Sequence, residues 1–357
     1  MKIQVLPLPE DRKKPRYTDE SQLGFGRLFT DRMLLVEWKA GQGWVDARIQ
    51  PYAPFSLDPA CLVLHYAQEI FEGLKAYRWQ DGSIALFRPE MNARRFNLSA
   101  TRLCMPEVPE DLFVSGIEQL VSLERDWVPG SEGTSLYIRP TMIAVEPVLG
   151  VKPSDHYYFY VIMSPVGAYY AAGFNPVKIM VEDTYVRAVP GGTGEAKTGG
   201  NYASSLKAGL EAKKKGFDQV LWLDGVHKRY IEEVGAMNMF FAYADKVVTA
   251  PLAGSILNGI TRDSVLKLAG SLGFSVEERP IDVNDLMADL RAGKVKEAFG
   301  SGTAAVITPV GALCYKDECL QVGDGGVGSL TQKLYDTLTG IQYGRIADTF
   351  GWVRKLA

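Results

Sequence analysis

The pattern of apolar and polar positions predicts β-strands in the first quarter of the chain. The stretch Met33-Leu34-Leu35-Val36-Glu37-Trp38 is typical of an early strand. Two further strand-like runs, 74–80 and 83–87, flank the dipeptide Asp81-Gly82, which is favoured in tight hairpin turns. We therefore expect a β-hairpin over this region.

Apolar residues at three- and four-residue spacing predict helices after the hairpin. Pro89 suits the first turn of a helix that continues to Arg102, and Pro106 stops it. Runs rich in Tyr, Phe, Val and Ile predict strands at 134–139 and 156–163. Between them, a second helix carries one apolar stripe, formed by Leu112, Phe113, Ile117, Leu120 and Val121.

The second half of the chain alternates between strands and helices. A turn-rich segment at 167–176 divides it from the first half. The sequence thus predicts an α/β fold with a smaller N-terminal domain at 1–168, a linker at 169–177 and a larger C-terminal domain at 178–357. The later elements expected are strands at 177–181, 219–224 and 238–243, helices at 202–215 (capped by Gly216), 259–272 and 283–292, and loops at 190–200 and 300–305.

Composition narrows the class of protein. Of the 357 residues, 46% are hydrophobic and 23% charged, which is typical of a globular chain and not of a disordered one. The net charge is −3, so no basic field favours a nucleic-acid partner. The chain begins without an apolar signal segment, and 18 apolar residues never follow one another. We expect a cytoplasmic protein with no membrane partner.

Cysteine and histidine usage excludes several kinds of site. The cysteines at 61, 104, 314 and 319 are too few for a disulfide framework and form no C-x-x-C pair, which favours a reducing compartment. The three histidines, at 65, 156 and 227, are scattered without ligand spacing. No metal site and no Ser-His-Asp machinery are therefore expected.

Lys197 lies in the most unusual stretch of the chain, the glycine-rich segment 190–202. One hypothesis is a phosphate-binding loop, because Gly191 and Ala196-Lys197-Thr198 nearly match G-x-x-x-x-G-K-[ST], with one glycine missing. A second is a lysine that forms a Schiff base from a tight, partly desolvated pocket. A third is an ordinary surface lysine on a loop.

Three other segments offer candidate chemistry, and each also has an ordinary structural explanation. Glu232 and Glu233 precede an apolar strand, where one carboxylate could pair with a pyridinium nitrogen or both could be solvated. Segment 254–262 leads from a glycine loop into a helix whose first N–H groups could bind an anion. Segment 299–305 could form a nest for carboxylate or phosphate oxygens, or a plain turn.

Taken together, these segments resemble the branched-chain amino acid aminotransferases, pyridoxal 5′-phosphate (PLP) enzymes of fold type IV. The resemblance runs from about Phe25 to Ile341-Gln342-Tyr343-Gly344 and implies two domains with the cofactor in the cleft between them. The motifs that carry it are Phe71-Glu72-Gly73-Leu74-Lys75-Ala76, Ser135-Leu136-Tyr137-Ile138-Arg139-Pro140, Lys197-Thr198-Gly199-Gly200-Asn201-Tyr202, Glu233-Val234-Gly235-Ala236-Met237-Asn238 and Gly300-Ser301-Gly302-Thr303-Ala304.

The resemblance implies a role for each matching residue around PLP. Lys197 would hold the cofactor as a Schiff base and then move the proton between the substrate's α-carbon and the cofactor. Glu233 would keep the pyridine nitrogen protonated, and Tyr202 would hydrogen-bond the ring's 3-oxygen. The phosphate would be held by Arg95, Arg187, Ile260, Thr261 and Thr303.

The implied reaction is the reversible transfer of the amino group between L-leucine, L-isoleucine or L-valine and 2-oxoglutarate. One pocket must then accept both apolar side chains and the distal carboxylate of glutamate, which Arg139 would meet. Thr303, Ala304 and Ala305 would bind the α-carboxylate, and a homodimer would lend the loop Leu149-Gly150-Val151 to the neighbouring site, with Val151 reaching the substrate. The aromatic lining implied is Phe25, Tyr66, Phe71, Tyr137 and Tyr169.

The chain also departs from close relatives. Ala305 and Thr308 stand where some animal members carry a redox C-x-x-C pair, so no thiol switch is expected there. Ala236 replaces a threonine near the cofactor. Within the same fold type, a D-amino-acid aminotransferase and an aminodeoxychorismate lyase are alternatives, against which Arg139 argues.

Overall fold

The computed structural model describes residues 1–167 and 174–356. The chain divides into two compact units, the first made of Met1–Tyr169, Ala196–Gly199 and Ile341–Ala357, and the second of Tyr170–Glu195 and Gly200–Gly340. The expected linker at 169–177 spans this division. Because two later segments join the first unit, it contains more residues than the second, the reverse of the expected order of size.

The described residues form eighteen strands and eight α-helices. The strands are β1 Gln4–Val5, β2 Arg32–Lys39, β3 Gly43–Pro51, β4 Glu69–Phe71, β5 Leu74–Arg78, β6 Ile84–Phe87, β7 Ser135–Ala144, β8 His156–Val166, β9 Val177–Glu182, β10 Gln219–Leu223, β11 Ile231–Val234, β12 Met237–Ala242, β13 Lys246–Thr249, β14 Ser275–Glu278, β15 Glu297–Gly302, β16 Val306–Tyr315, β17 Glu318–Gln321 and β18 Val353–Lys355. The helices are α1 Leu62–Tyr66, α2 Pro89–Arg102, α3 Glu110–Leu123, α4 Gly199–Ala203, α5 Leu206–Lys214, α6 Ile260–Ser271, α7 Val283–Arg291 and α8 Ser329–Gln342.

The first unit is built on a nine-stranded sheet with the order β1-β3-β2-β8-β7-β5-β6-β18, and β4 pairs with β7. Three buried rings, Phe96 of α2, Phe113 of α3 and Phe159 of β8, pack with centroids 5.4–5.7 Å apart. Such aromatic clusters bury large apolar areas and fix side-chain geometry. They hold α2 on the sheet and thereby position its neighbouring residues Arg95 and Ser99.

The predicted hairpin is confirmed as β5 and β6, which pair antiparallel. The Asp81 carboxylate accepts hydrogen bonds from the Ser83 N–H at 2.9 Å and the Ser83 hydroxyl at 2.6 Å. Gly82 supplies the positive φ of +80° that the turn requires. The predicted early strand and the two helices after the hairpin are likewise confirmed as β2, α2 and α3.

The second unit is built on a closed ring of strands. Six strands follow one another as β11-β10-β9-β16-β15-β12, and β12 pairs again with β11. In this ring β9 runs parallel to β10 and β16, and the other pairs are antiparallel. Closing the ring leaves no unpaired edge among these six strands, which suits a unit that must hold buried polar groups in fixed positions.

Two predicted elements differ from those observed. The expected helix at 202–215 is two helices, α4 and α5, separated by a turn. The expected loop at 300–305 is half strand, because Gly300 pairs with Met239 of β12 and Thr308 of β16. Glycines have low strand propensity, but a Cβ at Gly300 would lie 3.0 Å from Met237 and Val234 side-chain atoms. Close packing therefore requires a glycine at position 300, and because glycine has low strand propensity, the sequence did not predict this part of β15.

A disulfide joins Cys314 of β16 to Cys319 of β17, which lie directly opposite each other in the ladder. The sequence did not predict this bridge, because spacing alone does not show that two cysteines face each other across a hairpin. Cys61 is buried and Cys104 exposed, and both are free. Within 1–167 and 174–356, none of the helices combines the length and apolar character needed to cross a membrane.

Candidate active site

Lys197 lies on a short segment that the first unit holds from two sides. Its N–H donates to the Ser99 hydroxyl of α2 at 2.9 Å, and its carbonyl accepts from the Phe71 N–H of β4 at 3.0 Å. The Thr198 hydroxyl donates to the Glu69 carbonyl at 2.7 Å, and the Gly199 N–H donates to the Glu69 carboxylate. The backbone that carries the lysine is therefore fixed to β4 and α2.

The glycine after this segment has a steric reason. A Cβ at Gly199 would collide with the Glu69 carboxylate that binds the Gly199 N–H. The half-buried Lys197 directs its Nζ toward the Phe71 ring, 4.9 Å from the centroid. This held, partly desolvated amine has the surroundings that a Schiff-base lysine needs and a free surface lysine lacks.

A buried acid, Glu72, lies beside the lysine. Its carboxylate is fully buried and forms two bonds with Arg95, at 2.7 Å from Nε and 2.9 Å from a terminal nitrogen, and accepts from Asn92 at 2.7 Å. Burial raises the pKa of Glu72, but the Arg95 guanidinium, the Lys197 ammonium and these hydrogen bonds outweigh it and hold the pKa below its ordinary value. Glu72 is thus ionised between two cations.

Glu72 belongs to the motif at 71–76, but the sequence predicts no role for it. The signal for it was an acid in a run of otherwise apolar residues that precedes the hairpin. Arg95 was expected to hold a phosphate. In the structure its guanidinium forms an ion pair with Glu72. The phosphate role of Arg95 stays a prediction.

Four of the predicted pocket residues come together in the first unit. The rings of Phe25 and Tyr137 meet edge to face at 4.9 Å. The Arg139 guanidinium lies over Phe71 at 4.7 Å and Tyr137 at 5.3 Å, and it donates to the Tyr137 hydroxyl at 3.0 Å. Its Nε is buried without a hydrogen-bond partner, and no carboxylate in the described part of the chain pairs with it. An aromatic cleft with one cation results.

Two predicted pocket residues lie elsewhere or outside the description. Tyr66, on α1, is 40% exposed, and its hydroxyl donates to the Leu149 carbonyl. Leu149 and Val151, in the loop expected to reach a neighbouring subunit, are 62% and 82% exposed. Tyr169 lies outside the described residues, so its expected role stays a prediction.

Glu233 is the centre of a polar cluster in the second unit. It lies on β11, is buried, and its Oε2 is 2.7 Å from a terminal nitrogen of Arg187. Asn238 donates to Glu233 at 3.2 Å and to the Leu257 carbonyl at 3.0 Å. A Cβ at Gly259 would collide with the Asn238 amide oxygen, so the glycine allows the turn before α6 to lie close to Asn238.

The same cluster contains the predicted anion-binding helix start. Ile260 and Thr261 are the first residues of the twelve-residue helix α6 and are buried, so their N–H groups lie at its positive end. Sequence reasoning did not predict that Asn238 would link Glu233 to this turn, because the link depends on strand register. In the second unit, then, Asn238 links the carboxylate expected at the pyridine nitrogen to the turn that precedes the N–H groups expected at the phosphate.

Arg187 and Glu232 surround Glu233 in ways the sequence did not show. Arg187 also donates to the carbonyls of Gly194, at 3.3 Å, and Ser255, and its Nε is buried without a partner. The expected contact of Arg187 with a phosphate stays a prediction, since its guanidinium binds Glu233. Glu232 accepts from the Ser255 hydroxyl, and burial raises its pKa above the ordinary value. Both acids are buried, which excludes the interpretation as solvated strand-end charges.

The remaining predicted residues lie on α4 and on a hairpin loop. Tyr202 is half-buried on α4. Thr303, Ala304 and Ala305 form the three-residue loop between β15 and β16, closed by the pair Gly302 and Val306. Val306 has a φ of +63°, which is strained for a β-branched residue and persists only where the surrounding structure over-determines the backbone. The contacts expected of these residues with PLP and substrate stay predictions.

Comparison with known proteins assigns the family. Residues 69–313 match the amino-transferase class IV family, and the chain belongs to it. It is 54% identical to branched-chain-amino-acid aminotransferase 2 of Bacillus subtilis, across 97% of this chain and 95% of the relative. It is 52% identical to the branched-chain-amino-acid aminotransferase of Mycolicibacterium smegmatis, across 93% and 92%.

Solved structures agree with that assignment. The branched-chain amino acid aminotransferase from Escherichia coli has a TM-score of 0.71 at 29% identity, covering 90% of this chain and 98% of that one. The enzyme from Thermobaculum terrenum, solved in its PLP form, has a TM-score of 0.74 at 25% identity, covering 91% and 98%. The fold is therefore fold type IV, as expected, and the nucleotide-binding hypothesis for 191–198 is set aside.

Enzymes of this family use PLP, and the residues present fit that cofactor. PLP has an aldehyde, a pyridine nitrogen and a phosphate. The first unit offers the held amine of Lys197, and the second offers the buried carboxylate of Glu233 and the N–H groups at the start of α6. The buried Nε of Arg187, which has no partner, is a further donor in the second unit.

Proposed function

We propose that this protein is a branched-chain amino acid aminotransferase, which transfers the amino group reversibly between L-leucine, L-isoleucine or L-valine and 2-oxoglutarate. The observation that supports this substrate pair is the Arg139 guanidinium, which is stacked on Phe71 and Tyr137 and forms no direct ion pair with a carboxylate of the described residues. An aromatic cleft accepts an apolar side chain, and its cation accepts a carboxylate. One cleft with both properties serves both half-reactions.

Lys197 supplies the amine for the cofactor and moves the proton. PLP contributes an aldehyde that takes up the amino group and a ring that withdraws electrons. Lys197 Nζ would carry the proton from the substrate's α-carbon to the cofactor in one half-reaction and back again in the other. The bonds to Ser99, Phe71 and Glu69 fix the backbone that carries Lys197, so the side chain starts from the same place in both half-reactions.

Glu233 supplies a fixed negative charge for the pyridine nitrogen. Arg187 and Asn238 hold its carboxylate from two directions, at 2.7 Å and 3.2 Å. A carboxylate that is already oriented does not have to reorganise when charge develops in the reaction. We assign Arg187 to positioning Glu233.

Exposed apolar residues support the expected homodimer. Leu64 of α1 is 60% exposed, and Leu149 and Val151 are 62% and 82% exposed, with Tyr66 bonded to the Leu149 carbonyl among them. Clustered apolar residues of this kind mark protein interfaces. We propose that this surface is covered by a second copy and that Val151 reaches the partner's substrate. A cytoplasmic location and the lack of a nucleic-acid partner stay predictions from the sequence.

The near-visible absorption spectrum of purified protein tests this function. We expect a yellow chromophore that L-leucine bleaches and 2-oxoglutarate restores, with L-glutamate appearing in stoichiometric amount. A Lys197→Ala variant should lose the restoration and the turnover. A colourless protein that PLP does not reconstitute, or one that D-amino acids bleach and L-leucine does not, would overturn the assignment.

A further inference from the structure

Glu69 shares one face of the sheet with the aromatic cleft. Strand β4 pairs with β7 so that Glu69 lies opposite Ile143, and Phe71 opposite Thr141. Paired residues of antiparallel strands project to the same side, and so do alternate residues along a strand. Glu69, Phe71, Arg139 and Thr141 therefore line one surface, with the Arg139 guanidinium over the Phe71 ring.

The Glu69 carboxylate is held in place and partly removed from water. It accepts the Gly199 N–H, and the Glu69 carbonyl accepts the Thr198 hydroxyl at 2.7 Å. Burial raises the pKa of Glu69, while the Gly199 N–H and the positive charge of Arg139 oppose that rise. The carboxylate thus lies close enough to Arg139 for the two charges to interact, although they form no direct ion pair.

The position of this acid has a consequence for the two substrate classes. A branched apolar side chain brings no charge of its own and removes water from around Arg139. The nearby Glu69 carboxylate then partly compensates the charge of Arg139. The distal carboxylate of glutamate is attracted to Arg139 but repelled by Glu69. Discrimination between ligands commonly rests on such a repulsive element.

We propose that Glu69 is a specificity-determining residue of this cleft, which lowers its affinity for dicarboxylate substrates relative to apolar ones. The proposal rests on the proposed function, because it takes Arg139 as the site of the distal carboxylate. In this proposal Glu69 contacts no reacting atom, and its effect on substrates comes through the charge of Arg139. Sequence reasoning assigned Glu69 no role.

The Glu69→Gln variant isolates the charge. Glutamine keeps the size of the side chain and an oxygen that accepts the Gly199 N–H, so the Lys197 segment keeps its support. Glu132→Gln is the matched control, because Glu132 carries the same charge in the same unit but lies exposed in a surface pair with Arg345. Glu69→Asp keeps the charge and provides a second variant that separates charge from fit.

The measurement is the dissociation constant of two unreactive ligands for the PLP-loaded enzyme, by calorimetry. The ligands are glutarate, a dicarboxylate, and 4-methylpentanoate, a branched monocarboxylate. For Glu69→Gln we expect glutarate to bind roughly three- to tenfold tighter, as for removal of a partly screened like charge, with 4-methylpentanoate within twofold of wild type. Glu132→Gln and Glu69→Asp should keep the wild-type ratio.

Several results would overturn the proposal. Both ligands changing by the same factor in Glu69→Gln would show that Glu69 only positions the Lys197 segment. Wild-type dissociation constants for both ligands in Glu69→Gln, or the same altered ratio in Glu69→Asp, would show that its charge has no effect on selection. A wild-type enzyme that transaminates neither L-leucine nor L-glutamate would instead refute the proposed function, and this inference with it.

Discussion

Glu72 is an ionised, buried carboxylate, and its effect on the stability of the fold depends on its pairing with Arg95. It is fully buried, with Arg95 on two of its bonds and Lys197 close enough to lower its pKa. A buried ion pair gains little over an apolar pair, but removing one partner leaves a desolvated charge without compensation. The same residue thus serves stability through Arg95 and the site through Lys197.

We expect Glu72→Gln to lower the free energy of unfolding by about 3–5 kcal/mol, since the buried Arg95 guanidinium loses its ion pair with Glu72. Urea unfolding of variant and wild type measures the difference. Glu90→Gln is the control, because the Glu90 pair with Arg354 is partly exposed on both sides and such pairs contribute about 0–1 kcal/mol. Equal losses in the two variants would contradict the assignment of Glu72 as a buried counter-ion.

The pH dependence of stability follows from the lowered pKa of Glu72. An acid whose pKa is lower in the folded chain adds stability that is complete above the unfolded carboxyl pKa, about 4.3, and is lost as the pH falls through the folded value. The difference in unfolding free energy between wild type and Glu72→Gln should therefore be constant near neutral pH and shrink below about pH 4.3. A difference that keeps its size in acid would refute this.

The sequence singled out the candidate groups for substrate and cofactor, but not the residues that hold them in place. Lys197 and Glu233 are unusual by type within their segments, whereas Arg139 was named only through the family resemblance. Asn238 and Glu69 have ordinary neighbours in the sequence, and their roles arise from which strand lies beside which. Pairing between distant strands is a tertiary property that local periodicity does not encode.

At the scale of elements, length and regularity separate what was predicted from what was missed. Helices α2 and α3 each run for fourteen residues, with a proline at the start of α2 and an apolar stripe along α3, and the hairpin β5–β6 has a strong turn dipeptide. Strand β4 has three residues, too few to show a period, and β15 contains two glycines. These two elements carry the Lys197 segment and the Thr303 loop, so the short and irregular pieces are those nearest the site.

The attachment of the Lys197 segment to β4 gives a test with a matched pair of glycines. A Cβ at Gly199 would meet the Glu69 carboxylate, whereas nothing lies within 4 Å of a Cβ at Gly200. We expect Gly199→Ala to push the Glu69 carboxylate away from the Gly199 N–H, lower stability by about 0.5–1.5 kcal/mol for the lost hydrogen bond and weaken PLP retention on dialysis, with Gly200→Ala close to wild type. Equal behaviour of the two variants would contradict the steric role of Gly199.

At the scale of the whole molecule, the surface formed by Leu64, Leu149 and Val151 predicts an assembly. We expect the wild type to sediment as a dimer and Val151→Asp to shift toward monomer, because a charge in an apolar interface core is costly to desolvate. Val226→Asp, at a residue 64% exposed in the second unit, is the control and should stay dimeric. A wild-type monomer, or a Val151→Asp dimer of full strength, would refute the proposed interface.

The first unit is formed from segments that are distant in the sequence, and this affects how it folds during synthesis on the ribosome. Its sheet ends at β18, where Val353 pairs with Phe87 of β6, and Trp352 packs edge to face on the same Phe87 ring. At 5–20 residues per second, roughly 13–53 s pass between the synthesis of β6 and that of β18, and one edge of β6 stays unpaired during this time. Exposed strand edges recruit other strands, so the nascent chain is most vulnerable to aggregation in this interval. Chaperone contacts during synthesis should therefore concentrate on β6 and end only after β18 has been synthesised.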